Sequence, residues 1–270
     1  MDNIGKNSYD LGYMDTLAAG DSPLHRLDPR AKVIATLAFI VAVVSFDKYS
    51  LSGLTPFFIF PLAMIAAGGL PAGYLLKKIL LVSPFAVLIG IFNPLIDRGV
   101  LVHVGMAGIS GGWISFLSII MRFALTVSAA LVLVSLTGFN SVCESLLKFG
   151  VPKSFVVQLM LFNRYMFILT DEAERMARAR MLRSFGSGPM GLGVFASLAG
   201  QLLTRTLDRA ERIYRAMCCR GFDGHIHIIR PMKFGYRDLI FVLGWVFLFI
   251  LFRFYNLPLI IGSLFIGVLS

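Results

Sequence analysis

Long apolar blocks alternate along this chain with short charged or proline-bearing breaks. The first block runs from Val33 to Phe46, between Lys32 and Asp47-Lys48, and the second covers residues 50–69. Lys77-Lys78 mark a short amphipathic connection to a third block at 79–96, which contains Pro84 and Gly90. A polar loop with Asp97, Arg98, His103 and several glycines precedes a fourth block at 113–136. A hydrocarbon core of about 30 Å asks for about 20 apolar residues in a helix, so each block is read as a span. The first is somewhat short, and Lys32 and Lys48 are expected to snorkel outward from its ends. From Asn140 to Arg237 the pattern becomes amphipathic and helical, broken at Gly150-Val151-Pro152 and around Gly186-Ser187-Gly188-Pro189. The tail from Leu239 to Ser270 is apolar again, and Asn256-Leu257-Pro258 divides it into two short spans or one span and a half-inserted helix. The expected fold is an all-α integral membrane protein with five or six transmembrane helices and one helical domain outside the bilayer.

Composition supports that picture. Of 270 residues 57% are hydrophobic and only 15% charged, with a mean hydropathy of +0.79; a soluble domain carries roughly a quarter charged residues. The net charge of +10 does not point to nucleic acid, because the cations flank apolar segments instead of forming a free basic arm. Their placement sets the orientation. The N-terminal segment, the 71–78 connection and the 140–237 block carry 4, 2 and 15 Lys/Arg, so 21 of the 25, against three (Lys48, Arg98, Arg253) in the opposite loops. The positive-inside bias puts those three regions in the cytoplasm, and four spans before residue 140 return the chain to that side. The segments are then a cytoplasmic 1–32, four transmembrane helices over 33–137, a cytoplasmic domain over 138–236 and C-terminal span or spans over 237–270. The polar N-terminus lacks an apolar core, so no cleaved signal is expected. Cys143, Cys218 and Cys219 form an odd, clustered set that fits a reduced cytosolic setting. Arg122 lies inside the fourth block; snorkelling or pairing with a neighbouring helix is favoured over a direct functional role.

The most informative feature is a repeat within the cytoplasmic block. Residues 173–185 read AERMARARMLRSF and residues 210–222 read AERIYRAMCCRGF, with seven identities in thirteen ungapped positions at an offset of 37. Each copy is read as the end of a helix, with Gly186 and Gly221 soon after Arg183 and Arg220. Glu174 with Arg178, and Glu211 with Arg215, are i,i+4 pairs of favourable polarity, which accounts for those four residues locally. Arg183 and Arg220 have Ala179 and Ala216 four residues earlier and lack that explanation. Interaction with the helix C-terminal dipole is the structural alternative for them, worth about 0.3–1 kcal/mol. Two duplicated helix ends with one unpaired arginine each suit docking onto two similar acidic pockets.

With these residues in view, the chain resembles the T component, or transmembrane coupling subunit, of energy-coupling factor transporters, in its CbiQ-type form from cobalt uptake systems. Ser22-Pro23-Leu24-His25-Arg26-Leu27-Asp28-Pro29-Arg30-Ala31-Lys32 is similar to that family's Asp-Pro-Arg-x-Lys entry to its first span. Asn163-Arg164-Tyr165 leading into Asp171-Glu172-Ala173-Glu174-Arg175 is a second point of likeness. The third is a pair of X-Arg-X signatures, Leu182-Arg183-Ser184 and Cys219-Arg220-Gly221. Neither keeps the family's commonest triplet, Ala-Arg-Gly, in full, and the arginine is the shared element. The resemblance implies a division of labour in a bacterial inner or plasma membrane. Two cytosolic ABC-type ATPases hydrolyse ATP, a CbiM-like S component binds substrate, and this subunit couples them with no cofactor of its own. Arg183 and Arg220, with Leu182, Ser184, Cys219 and Gly221 around them, would seat in grooves of the two ATPases.

Other chemistry is weaker. No Walker sequence occurs, so ATP binding by this subunit is not expected, and neither a Gly-x-Ser-x-Gly nor a His-Glu-x-x-His motif is present. His225-Ile226-His227 beside Cys218-Cys219 invites a metal reading, but no further ligand completes a zinc-like set at suitable spacing. The expected function is therefore a non-enzymatic coupling subunit, with cobalt as cargo. The alternatives are a nickel or vitamin transporter subunit of the same kind, or a membrane-embedded enzyme using the histidine-cysteine cluster.

Overall fold

The structure is a computed structural model, and it describes residues 12–47, 51–96, 100–104, 107–183, 191–224 and 234–254. The chain divides into two compact units, Leu17–Gly138 with Met232–Ser270, and Met1–Thr16 with Phe139–Pro231.

The first unit begins at the end of a short helix, α1, over 12–18. A turn follows in which the Ser22 hydroxyl meets His25 Nδ1 at 2.7 Å, and His25 Nε2 lies 3.0 Å from the Leu17 carbonyl. Burial holds the pKa of His25 below the ordinary histidine value. Asp28 then starts α2, Pro29–Val44: its Oδ1 accepts the Arg30 N–H at 2.9 Å, and Pro29 occupies the first helical position, where no donor is needed. A 3-10 segment, Ser52–Phe58, leads into α3, Ile59–Gly68, and α4 covers Ala72–Gly90, followed by α5, Phe92–Ile96. The longest element of the unit is α6, Gly111–Thr137, and α10, Tyr236–Phe254, completes it. Its core is aromatic. Phe249 of α10 has ring partners Phe39 at 5.4 Å, Phe60 at 5.3 Å, Phe57 at 6.1 Å and Trp245 at 5.8 Å.

Two stretches are long and apolar enough to cross a membrane among the described residues, Ala72–Pro94 and Gly111–Thr137. The outer surface agrees with a lipid environment. Leu76, Leu80, Leu81, Phe85 and Leu88 of α4 are each more than 60% exposed, a stripe that water would penalise and lipid would not. Charged residues Arg237, Asp238 and Arg253 sit at the ends of α10, leaving an apolar middle.

Several sequence expectations need correction. Residues 50–69 do not form one uniform α-helix: a 3-10 segment with Pro56 inside it runs into α3, and the apolar stretch Ser52–Gly68 is 17 residues long. Lys77-Lys78 are not a connection but lie inside α4, which starts at Ala72. Lysine is a good helix former, and Lys78 Nζ sits 5.5 Å above the Tyr74 ring, so the charges do not interrupt the helix. The expected polar loop after residue 97 contains a two-stranded antiparallel hairpin, β1 (Val100–Val104) with β2 (Ala107–Ser110), in an otherwise helical chain. The β-branched run Val100-Leu101-Val102-His103-Val104 favours that conformation. Lys32 does not snorkel; it is among the most buried side chains of the protein. Lys48 and the Asn256-Leu257-Pro258 break lie outside the described residues.

Arg122 is tied to a neighbour, as the structural reading of it expected. Its Nη2 donates to the Asp47 carbonyl at 2.5 Å, just past the end of α2. Arg253 of α10 donates to the Ser45 carbonyl at 2.9 Å and stands 4.3 Å over the Phe46 ring. Two guanidinium groups therefore bind carbonyls at and just beyond the C-terminal cap of one helix, where the dipole favours cations.

Candidate functional site

The second unit contains α7 (Phe139–Lys148), α8 (Lys153–Arg183) and α9 (Leu192–Cys219). The break at Gly150-Val151-Pro152 falls between α7 and α8, as the sequence indicated; Gly186–Pro189 lies outside the described residues. Both repeat copies fall at the C-terminal ends of the two long helices.

The local pairs form as their spacing requires. Glu174 Oε2 is 3.5 Å from Arg178 Nη2, and Glu211 Oε1 accepts from Arg215 Nη2 at 2.5 Å. Arg183 is the last residue of α8, and Arg220 caps α9. Both are exposed, and neither guanidinium has an ion-pair partner among the described residues. Leu182 beside the first is 81% exposed. Cys219 and Gly221 flank the second and are also exposed. Ser184 is outside the described residues.

The end of α9 is closed by a specific hydrogen-bond pattern. The Gly221 N–H donates to the Cys218 carbonyl and the Phe222 N–H to the Met217 carbonyl, both at 3.0 Å. This is a Schellman closure, which needs a left-handed residue at the glycine position; Gly221 has φ +80°. The turn stops the helix at Arg220 and leaves its side chain at the tip.

Within this unit α8 and α9 meet at repeat-equivalent points. Arg205 Nη1 donates to Glu172 Oε1 at 2.6 Å across the two helices. A cleft of about 290 Å³ at this contact is lined by Ile168, Leu169 and Glu172 from α8 and Arg205, Thr206, Arg209 and Arg212 from α9. Under the repeat offset Ile168 corresponds to Arg205, Leu169 to Thr206 and Glu172 to Arg209, so the cleft contains both members of three pairs. Beyond the Glu172–Arg205 contact, Arg183 follows Glu172 by eleven residues and Arg220 follows Arg205 by fifteen, so the arginines stand about 16 Å and about 22 Å along their own helices. Each long helix thus carries one exposed arginine at its C-terminal end, in sequence-equivalent positions.

Cys218 and Cys219 are exposed free thiols, and no group of three or more His, Cys, Asp or Glu residues able to hold an ion occurs among the described residues. His225 and His227 lie outside them.

One buried charged group escaped the sequence reading. Asp28, Lys32 and Asp238 are all under 7% exposed in the first unit. The signal for Lys32 was present: with Thr36, Phe39 and Val43 it occupies the buried face of α2 at helical spacing.

The family described as "Cobalt transport protein", CbiQ, matches residues 20–232. Among individual relatives, the chain is 29% identical over 238 residues to "Energy-coupling factor transporter transmembrane protein EcfT" of Heliobacterium modesticaldum, covering 81% of this chain and 87% of the relative. It is 30% identical over 234 residues to the protein of the same description from Streptococcus thermophilus, covering 76% and 83%. Against "Cobalt transport protein CbiQ" of Salmonella typhimurium the identity is 33% over 108 residues, covering 40% and 48%. A match over most of the chain, on a helical membrane fold with the duplicated helix ends in place, places this protein in the CbiQ family, as a T component of energy-coupling factor transporters.

Proposed function

We propose that this chain is the coupling subunit of an ATP-driven importer whose cargo is cobalt. Two ABC-type ATPases dock on the α8 and α9 ends, and a separate CbiM-like membrane subunit binds the ion. The observation that carries this reading is the pair of exposed arginines, without ion-pair partners among the described residues, at sequence-equivalent helix ends. Such an arrangement presents the same chemistry twice, which suits two related partners better than one. Hydrolysis of ATP belongs to the partners, and this subunit transmits their movement. Cobalt as cargo rests on the CbiQ family description; nickel or a vitamin is the alternative cargo. The membrane-embedded enzyme remains the reading from another class, and purification with or without bound ATPases separates it from the coupling role.

The same reading places the chain in the plasma membrane as a multi-pass protein with a cytoplasmic N-terminus, on the strength of the cation bias. Reporters fused after residues 145 and 235 should be cytoplasmic, and one near Gly105 should be external. An external signal at 235 would refute the arrangement.

If a separate subunit reads the ion, replacing both His225 and His227 with Ala should leave Co²⁺ uptake and metal preference nearly unchanged. Loss of uptake in a complex that still assembles would return the metal role to this loop.

A further inference from the structure

Near the start of α2 the first unit holds a buried charged cluster. Asp28 not only caps α2; its own N–H donates to Asp238 Oδ1 at 2.8 Å, and Asp238 Oδ2 accepts the Gly235 N–H at 2.8 Å. Asp28 and Asp238 thereby join the starts of α2 and α10. One helical turn into α2, the Lys32 ammonium donates to the Leu136 carbonyl at 3.0 Å. Lys32 is 1% exposed; burial disfavours its charge, which the nearby Asp28 and Asp238 carboxylates offset only in part. Three helices of the unit, α2, α6 and α10, are therefore joined by one buried polar knot.

The atom that Lys32 holds is in a telling place. Leu136 lies in the last turn of α6, where carbonyls have no partner within the helix. The chain then passes through a single residue, Gly138, before α7 begins at Phe139. Gly138 has φ +76°, and a Cβ on it would approach the Ala18 Cβ to 3.3 Å. The exit from α6 is thus fixed by the ammonium at Leu136 and by the left-handed, crowded glycine two residues later. This exit is also where the chain passes from one compact unit to the other. A buried lysine is costly, and an apolar side chain would fill the space at less cost in desolvation. What an apolar residue does not supply is a directional bond to one chosen carbonyl.

We propose that Lys32, supported by Asp28 and Asp238, is a positioning residue for coupling: it fixes the Leu136 carbonyl and hence the direction in which the chain leaves α6 toward the helices bearing Arg183 and Arg220. The inference rests on the coupling role proposed above. Lys32 touches neither cargo nor ATPase; it acts through the α6 exit.

The test uses the full complex in vesicles, with Lys32→Met and Gly138→Ala as separate variants. The second alters the same exit by backbone strain without touching a charge. ATP hydrolysis and Co²⁺ uptake are measured together, and hydrogen exchange is followed along the chain. Both variants should keep the ATPases bound and hydrolysing while uptake per ATP falls about tenfold, with amide exchange faster by a similar factor only around residues 134–145. A merely structural role would raise exchange evenly through α2, α6 and α10, and that result would overturn the inference. So would unchanged exchange at 134–145, or full uptake per ATP despite faster exchange there. If Lys32→Met does not insert, Gly138→Ala decides the matter by the same readouts. Failure of the unaltered subunit to bind ATPases would instead overturn the coupling role, and the exchange pattern would still decide whether Lys32 fixes the α6 exit.

Discussion

Replacing both Arg183 and Arg220 with alanine should abolish capture of the ATPase pair, and each single replacement should weaken it. Neither arginine has an ion-pair partner among the described residues, so neither change removes an internal salt bridge there. Truncating one member of a charge pair desolvated at an interface costs about 2–5 kcal/mol, which the double change incurs twice. If the arginines serve only the helix dipoles, each change costs less than about 1 kcal/mol of helix stability and assembly persists. Arg178→Ala and Arg215→Ala are matched controls, because Glu174 and Glu211 already account for those side chains. The measurement is pull-down of the ATPases together with ATP-dependent uptake. An assembled, fully active double variant would sink the docking role.

A second large effect is expected in the core. Phe249 is 3% exposed and has four aromatic neighbours, whereas Phe247 on the same helix is 67% exposed. A buried Phe→Ala change costs about 3–5 kcal/mol in water-soluble proteins. Part of that is transfer from water, a term that shrinks where the alternative surroundings are lipid. The cavity and lost dispersion remain, so Phe249→Ala should cost about 2–3 kcal/mol. Phe247→Ala, facing outward, should change stability by less than about 0.5 kcal/mol. Thermal unfolding in detergent reads both, and equal destabilisation by the two variants would mean that the aromatic cluster is not the core of this unit.

What the sequence carried most reliably was local. The i,i+4 pairs in the repeat, the glycine stop after Arg220 and the proline break between α7 and α8 depend on residues only a few positions apart. Their geometry follows from helix periodicity, and it appears as expected. The long apolar run of α6 was equally plain, since composition over one continuous helix decides it. Arg122 could be narrowed to a structural role, but its acceptor, the Asp47 carbonyl, is 75 residues away and no spacing rule reaches that far.

The tertiary structure decided the rest. Lys32 read as a boundary cation because a lysine beside an apolar block usually reaches for water. It is buried, and its ammonium finds a partner in a carbonyl 104 positions away. The shortness of the Ser52–Gly68 element and the start of α4 before Lys77 were likewise settled by backbone geometry around Pro56 and Pro71, where hydropathy sees only apolar residues. The repeat announced two equivalent helix ends. That Ile168, Glu172, Arg205 and Arg209 share one cleft emerged only from packing. Periodicity fixes which face of a helix is apolar, but the partner of that face, and the polar atom waiting there, are set by chain segments that meet only once the protein has folded.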